Sequence, residues 1–529
     1  FLHSLDDELT QLRDVRNINN TLTNNITFKL NTVTADDIIS IIDSMKPTLT
    51  SGSDAMLKMG SVIPIFKTGN KADINNYRPI TILNNLSKIV EKVIKKQLLQ
   101  YLETNFIMSE NQNGFRKNIG TSDAIASIVK SIKHSLDNGN KCIGIFLDLS
   151  KAFDTIDHTY LLEKLKKIGI SGRELNFIKS YMSERLQLVR IQNESSQPIQ
   201  IQYGVPQGSV LGPILFLIYI NDLCELNCHG SVISFADDTV LLFHGKSWET
   251  VFEKAEKGMN RVKQWLDSNS LTLNDTKTKY IKFKIHNKQT DNLNTNLNIK
   301  IHKDCVNVNR ETPCNCPKLN EIQTIKYLGI IIDQNLNWNS QVENVSNKLK
   351  KLTYFFKTIR NILDKEQLIK IYYALAQSQL QYGLIGWGSS CDSTIKPVLI
   401  AQRAILKIIL RVPIRTPTDY VFKALNLMSM KQLYTKDILI YAFKNQDNFT
   451  QTNSGRFTRS TLQHTFYQPT TKTTFGQRNM QYFSIKLFNL LPLAMKSIKK
   501  ITAFKRSIKI WIMDMGRKKI ESILQPNKE

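Results

Sequence analysis

With 529 residues, 41% of them hydrophobic and 22% charged, the chain can bury a sizeable core, which excludes wholesale disorder. Lys and Arg number 71 against 45 Asp and Glu, a net charge of +26, which points to a polyanionic partner, either nucleic acid or an acidic membrane face. No apolar run reaches the ~20 residues of a membrane span, since Val210 to Ile220 is interrupted by Gly212 and Pro213, and seven scattered cysteines argue against a secreted disulfide scaffold.

The Asn- and Thr-rich start gives way to a short amphipathic helix, with Asp36 near its beginning and Ile38, Ile39, Ile41, Ile42 and Met45 on neighbouring faces. A second helix is predicted over 84–102, where Leu86, Ile89, Val93, Leu98 and Leu102 share one side. Cys142 to Leu149 is an apolar run with one acid near its end, which suits a buried strand. Leu161–Ile168 and Glu174–Met182 read as helices, and Gln187–Ile191 and Ile199–Tyr203 as two strands joined by a polar turn. A buried helix is expected over Pro213–Leu223, and strands over Ser231–Ala236 and Thr239–Phe243 flank Asp237 and Asp238. Trp248–Asn269 reads as a helix, Asn287–Asn320 as an inserted Asn-rich loop, and Tyr327–Asp333 as one strand containing Gly329. Beyond it Leu349, Leu352, Phe356, Ile359 and Leu363 keep helical spacing, which continues over Leu368–Leu380. From Ala401 to Glu529 there are 23 Lys plus Arg and 6 Asp plus Glu, a net +17. Phe457, Phe466, Tyr467, Phe475, Tyr482 and Phe483 are interleaved there, the composition of a surface that tracks a strand by base stacking.

Three carboxylates carry the chemistry. Asp148 ends one apolar strand, and Asp237 and Asp238 lie between two others. A carboxylate held in a buried setting is costly unless it is paired or binds a cation. Two such sites beside a polyanionic partner suggest a divalent-metal centre, because Mg²⁺ is held by a few carboxylates and substrate phosphates. Two ions about 3.5–4 Å apart serve the attacking and leaving oxygens of phosphoryl transfer. Asp-Asp is also a common turn pair, so the motif by itself leaves both readings open.

The neighbouring blocks resemble reverse transcriptases of non-LTR retrotransposons of the long-interspersed, jockey-like kind. The resemblance rests on VIPIFKTGNKADINNYRPITILNNLSKIVEK (62–92), NQNGFRKNIGTSDAI (111–125), IFLDLSKAFDTIDH (145–158) and YGVPQGSVLGPILFLIYINDL (203–223). It continues through FADDTVLL (235–242), WLDSNSLTLNDTKT (265–278) and KYLGIIID (326–333), in family order. It implies an α+β right-hand polymerase with fingers, palm and thumb, followed by a mostly helical basic C-terminal region. The implied divisions are an N-terminal helical extension (1–59), truncated relative to the family, fingers and palm (60–335), a helical thumb (336–410) and a nucleic-acid-binding region (411–529). The truncation is inferred because Ser51–Lys58 runs almost directly into Gly60–Pro64, where related elements carry further finger residues.

The implied roles follow residue by residue. Asp148, Asp237 and Asp238 resemble the palm acids that hold two Mg²⁺ ions, with Mn²⁺ as an alternative and the backbone of Leu149 as a further ligand. Lys277 stands where the family keeps a lysine thought to protonate pyrophosphate; an ordinary exposed lysine is the other reading. Lys67 and Arg78 resemble finger residues that hold the triphosphate. Phe153 resembles the steric gate against a 2′-OH, although core packing alone also explains a Phe. Gln207 and Gly208 resemble the residues beside the templating pair, Arg116 a template contact, and Tyr327, Leu328 and Gly329 the primer grip. The expected activity is RNA-directed DNA synthesis in target-primed reverse transcription, with element RNA, a DNA primer or target and deoxynucleoside triphosphates as partners. A ribonucleoprotein shared between nucleus and cytoplasm is the implied location. Rival readings are a non-catalytic nucleic-acid-binding remnant and a group II intron maturase; the FADD hairpin differs from the maturases' usual YADD type. His302, Cys305, Cys314 and Cys316 offer a four-ligand zinc set, but their H-x2-C-x8-C-x-C spacing matches no familiar zinc pattern.

Overall fold

The computed structural model describes residues 27–45, 58–285, 297–302, 316–450 and 465–525. In chain order its strands are β1 (Met59–Phe66), β2 (Tyr77–Ile82), β3 (Lys141–Leu147), β4 (Leu149–Ser150), β5 (Leu186–Ile191), β6 (Glu194–Ser195) and β7 (Ile199–Gln200). They continue with β8 (Ser231–Phe235), β9 (Asp238–Gly245), β10 (Thr272–Leu273), β11 (Lys279–Phe283), β12 (Asn320–Glu321), β13 (Thr324–Tyr327) and β14 (Ile330–Asp333).

One sheet has the order β2-β1-β5-β6, with β7 also on β5; β1 and β2 form an antiparallel hairpin, and β1 pairs in parallel with β5. The other has the order β12-β11-β3-β9-β8, so β3 is central and antiparallel to both β9 and β11. The period-two alternation of β3 divides two cores. Ile143, Ile145 and Leu147 join a core with the helices Gly212–Ile220 and Trp248–Ser268, while Cys142 and Phe146 join another with the helix Thr121–Asp137. The helix Gly212–Ile220 is buried almost all round, which its continuous apolar sequence requires.

The second core runs on through the helix Asn339–Ile359 to Ile520. Ile405 and Ile409 share it with Val421 and Leu433, so packing is continuous across position 410. The helical stretch Leu368–Leu380 is interrupted by a π-helical turn over Tyr372–Gln377. No helix among the described residues is long and apolar enough to cross a membrane.

Three sequence expectations need correction. Tyr327–Asp333 is not one strand: β13 and β14 fold back as a hairpin with Leu328 at φ 43° and Gly329 at φ 80° in the turn. Two consecutive positive φ values suit a tight hairpin, and only the glycine is visible as a turn signal. The ends of the supposed loop 287–320 are ordered into the core: Lys300 bridges Lys318, and Ile299, Ile301 and Leu319 are buried. Cys305 and Cys314 lie outside the described residues. Finally, the C-terminal aromatics do not form a stacking surface, since Phe466, Tyr482 and Phe483 are core residues; Tyr467 is exposed and Phe457 lies outside the described residues.

Candidate active site at the end of the central sheet

β3 and β9 end together. Their last pair is Leu147 with Thr239, so Asp148 leaves β3 at the end where β9 begins with Asp238. Asp238 itself pairs with Phe235, leaving Ala236 and Asp237 as the turn between β8 and β9. Ala236 adopts φ 59°, an unfavourable setting for a residue with a Cβ. It is held there by contacts from distant parts of the chain. The Ala236 N–H donates to Gln112 Oε1 at 3.1 Å, the same oxygen accepts from Gly114 N at 2.9 Å, and Asn113 N donates to the Ser234 carbonyl at 2.8 Å. A Cβ on Gly114 would lie 2.5 Å from Ala236 N, so glycine is required for this approach. Ser234 Oγ donates to the Ala236 carbonyl at 2.8 Å and closes the turn from inside.

Asp148 is fixed through its backbone. Its N–H donates to Thr278 Oγ1 at 3.2 Å, and its carbonyl accepts from Asn274 N at 2.8 Å. Tyr327 Oη donates to the Asp238 carbonyl at 3.2 Å from below the sheet. The bonds that position Asp148 and Asp238 are thus made by their backbone groups, not by their carboxylates.

Burial and neighbouring acid charge raise the proton affinity of Asp237 and Asp238. Burial lifts Asp238 to about 6, with the charges of Asp237 and Asp148 adding to it and Arg78 opposing. Asp237 is raised as well, by burial first and by Asp148, while Arg78 and Lys67 oppose. Both side chains are open to solvent at the end of the sheet, yet protein surrounds them on enough sides to weaken hydration. A group of mutually repelling carboxylates is suited to a divalent cation. Among the described residues no three His, Cys, Asp or Glu side chains converge tightly enough to hold an ion alone. Water, a backbone carbonyl or a substrate phosphate would have to complete its shell.

Other expected site residues divide into two groups. Lys67 and Arg78 are exposed on the first sheet, and their charges act on the acids. Leu149 begins β4, paired with Leu273 of β10, and Lys277 is exposed beside Thr278 at the rim. Phe153 is half-buried and stacked on Phe216 with centroids 4.3 Å apart. Gln207 Nε2 donates to both Asp154 oxygens at 3.0 Å, in a cleft of about 250 Å³ that also includes Thr81 and Tyr203. Gly208 has φ 129°, and a Cβ there would meet the Thr81 carbonyl oxygen at 2.4 Å. Its close approach is thus to β2, not to a ligand, and the 2.7 Å bond from Thr81 N to the Gln207 carbonyl locks it.

Two residues are engaged elsewhere. Arg116 was expected to touch a template. Its guanidinium forks onto Glu103 (2.7 and 2.9 Å) and donates to the carbonyls of Ser109 and Gln112 (2.8 and 3.1 Å), a strut under the 111–114 loop. Tyr327 is buried, its ring edge-on to Phe146. Only the Leu328–Gly329 turn is presented, and the Leu328 carbonyl already accepts from Tyr382 Oη at 2.7 Å.

Sequence reasoning missed Gln112, Ser234, Asn274 and Thr278, which position the acids. It also missed Glu91, buried in the helix Asn85–Thr104, whose Oε2 accepts from Val210 N (2.5 Å) and Leu211 N (3.1 Å) and anchors the loop after Gly208. Buried polar residues inside the recognised blocks were the available signal.

Residues 67–332 match the family model described as reverse transcriptase (RNA-dependent DNA polymerase). The chain is 28% identical over 371 residues to the RNA-directed DNA polymerase from mobile element jockey of Drosophila melanogaster, covering 66% of this chain and 37% of that protein. It is 26% identical over 367 residues to the probable RNA-directed DNA polymerase from transposon X-element of the same species, with the same 66% and 37% coverage. The chain thus spans well under half the length of these relatives. Among solved structures, a telomerase from Candida albicans aligns with a TM-score of 0.35 at 13% identity, over 72% of this chain and 62% of that one.

Proposed function

From the premise that the chain belongs to the reverse transcriptase (RNA-dependent DNA polymerase) family, we propose that it extends a primer 3′-OH on an RNA template, as the polymerase of a jockey-like non-LTR retrotransposon. The observation that carries this reading is the meeting of Asp148, Asp237 and Asp238 at one end of the central sheet, with cations of the other sheet acting on them. Asp148, Asp237 and the Leu149 carbonyl would hold two Mg²⁺ ions, or Mn²⁺, and Asp238 would act mainly through its charge. When bound, such a pair of ions activates the primer oxygen and neutralises the leaving pyrophosphate.

The chain's own residues do the rest. Lys67 and Arg78 draw the triphosphate over the acids. Lys277 stands at the rim, where a departing pyrophosphate would take a proton. Phe153, supported by Phe216, limits the space beside the sugar, so deoxynucleotides are favoured. Gln207 and Gly208 shape the floor beneath the templating pair through Asp154 and β2. In this reading 60–335 serves as fingers and palm, 336–410 as thumb and 411–529 as a basic nucleic-acid-binding region, with 1–59 a shortened extension. Element RNA, target DNA and deoxynucleoside triphosphates are the substrates, in a ribonucleoprotein of nucleus and cytoplasm. Primer extension on a generic RNA template with Mg²⁺ tests the proposal: extension by the wild type and none by Asp237→Ala is expected. Equal extension by both would reject the assignment.

A further inference from the structure

Two loops run side by side at the cleft that holds Gln207: residues 151–157 after β4 and residues 203–208 after β7. Backbone bonds stitch them together. Val205 N donates to the Phe153 carbonyl at 2.9 Å, and Gly204 N donates to the Ile156 carbonyl at 2.8 Å. The Gly204 carbonyl lies 2.8 Å from His158 Nε2. Gly204 has φ 82°, and a Cβ there would lie 2.7 Å from the Asp154 carbonyl oxygen, so glycine is what lets the two backbones come this close.

One side-chain contact closes the end of this seam. Gln207 Nε2 donates to both carboxylate oxygens of Asp154 at 3.0 Å. A carboxylate only accepts, which fixes the Gln207 carboxamide with its nitrogen toward Asp154. Burial raises the proton affinity of the Asp154 carboxyl, and the Gln207 bond is first among the groups that oppose this, ahead of Lys151 and Lys67. A hydrogen bond to an ionised acceptor is stronger than one between neutral groups, so Asp154 holds the Gln207 amide more firmly than a neutral side chain would.

Phe153 precedes Asp154 directly. Its ring is backed by Phe216, with centroids 4.3 Å apart, and its backbone carbonyl is tied to the 203–208 loop. A side chain reaches only as accurately as its backbone is held. The ring depends on the seam, and the seam ends at the contact between Asp154 and Gln207.

We propose that Asp154 is a positioning residue that sets sugar specificity: by holding Gln207 it locks the 203–208 loop against the Phe153 backbone, and so fixes how far the Phe153 ring reaches toward a 2′-OH. Asp154 acts through Gln207 and Phe153, not by contact with the sugar. The inference rests on the polymerase reading and on Phe153 as the gate. It joins the floor beneath the templating pair and the gate beside the sugar into one unit.

Incorporation of a single deoxynucleotide or ribonucleotide by the full chain, on a primed RNA template, tests this. Asp154→Ala should lower the deoxy-to-ribo ratio of kcat/KM about tenfold, the scale of one lost hydrogen bond to a charged group. Gln207→Ala should lower it equally and the double variant no further, because both break the same link. Asp154→Asn, whose Oδ1 can still accept from Gln207 Nε2, should keep most of the ratio. An Asp154 that served stability alone would lower the thermal midpoint and leave the ratio unmoved. An unchanged ratio in Asp154→Ala or Gln207→Ala, additive losses in the double variant, or a loss in Asp154→Asn as large as in Asp154→Ala would overturn the inference. Phe153→Ala separates this failure from that of the reading beneath it. If Phe153→Ala leaves the ratio unchanged, or the wild type extends no primer, the gate or the polymerase reading falls and takes the inference with it. If Phe153→Ala lowers the ratio and Asp154→Ala does not, the inference falls alone.

Discussion

The two large sheets differ in how completely they are covered. Every residue of β3 from Cys142 to Leu147 is buried, and β9 is buried from Thr239 to Phe243. The β1–β2–β5 sheet instead leaves Ile63, Ile65, Val189, Ile191 and Ile199 more than a third exposed, and the nearby helix Ala35–Asp43 buries none of its residues. The acids stand on the covered sheet, and the cations Lys67 and Arg78 stand on the open one. Packing holds one half of the site rigid and leaves the other loosely backed, so alignment of cations over acids depends on the weaker partner.

The largest expected effect breaks the covered half chemically. Asp148→Ala should reduce nucleotide incorporation at least about a hundredfold, the scale of losing a group aimed at transition-state charge. Primer–template affinity should change far less, since phosphate contacts by Lys and Arg set it. Single-turnover primer extension beside a binding titration separates the two; incorporation at the wild-type rate would remove Asp148 from the site.

Next comes the packing of that half. Ile145 is fully buried in β3, and Ile145→Ala should cost about 2–5 kcal/mol, read by urea unfolding. Gln112→Ala should follow at about 2 kcal/mol, because Gly114 N and Ala236 N lose their shared acceptor. Incorporation should fall with it, as Ala236 is released from φ 59°. Full activity in Gln112→Ala would show that the turn holds its shape without the clamp.

These effects follow the line between what the sequence revealed and what it hid. Strand alternation, the acid at the end of an apolar run and the Asp-Asp pair are local patterns, so β3, β8, β9 and their acids were legible. Gln112, Thr278 and Glu91 act through bonds to backbone groups more than 100 positions away, which no local period reports. The Arg116 contact was hidden for the same reason: a charged side chain looks alike in sequence whether it meets a phosphate or, as here, Glu103. The C-terminal aromatics were misread because aromatic residues interleaved with basic ones fit a stacking face and a packed core equally well. Phe466, Tyr482 and Phe483 joined the core because the helices around them left an apolar face to cover.

A smaller effect concerns charge. Asp238 sits at about 6 when folded, above the ordinary 3.8. The folded protein therefore holds this proton more tightly than the unfolded chain. The associated stability is fully present below about pH 3.8 and is lost as pH rises through about 6. Without divalent metal, Asp238→Asn should thus raise the thermal midpoint at pH 8 and leave it nearly unchanged near pH 4. A gain of the same size at both pH values would mean that the carboxylate's charge is not what destabilises the site.

The smallest effect lies on the open sheet. Ile65 is 51% exposed and pairs across the hairpin with Arg78. Ile65→Ala removes little buried area, so unfolding free energy should move by no more than about 0.5 kcal/mol. Amide exchange should show why. Hydrogen bonds in β1, β2 and β5 have exposed apolar side chains above them and should open more often than those of β3 and β9. If exchange in the two sheets is equally slow, or if Ile65→Ala costs as much as Ile145→Ala, the first sheet has cover in solution. Arg78 would then be held over the acids as firmly as the acids are held over the core.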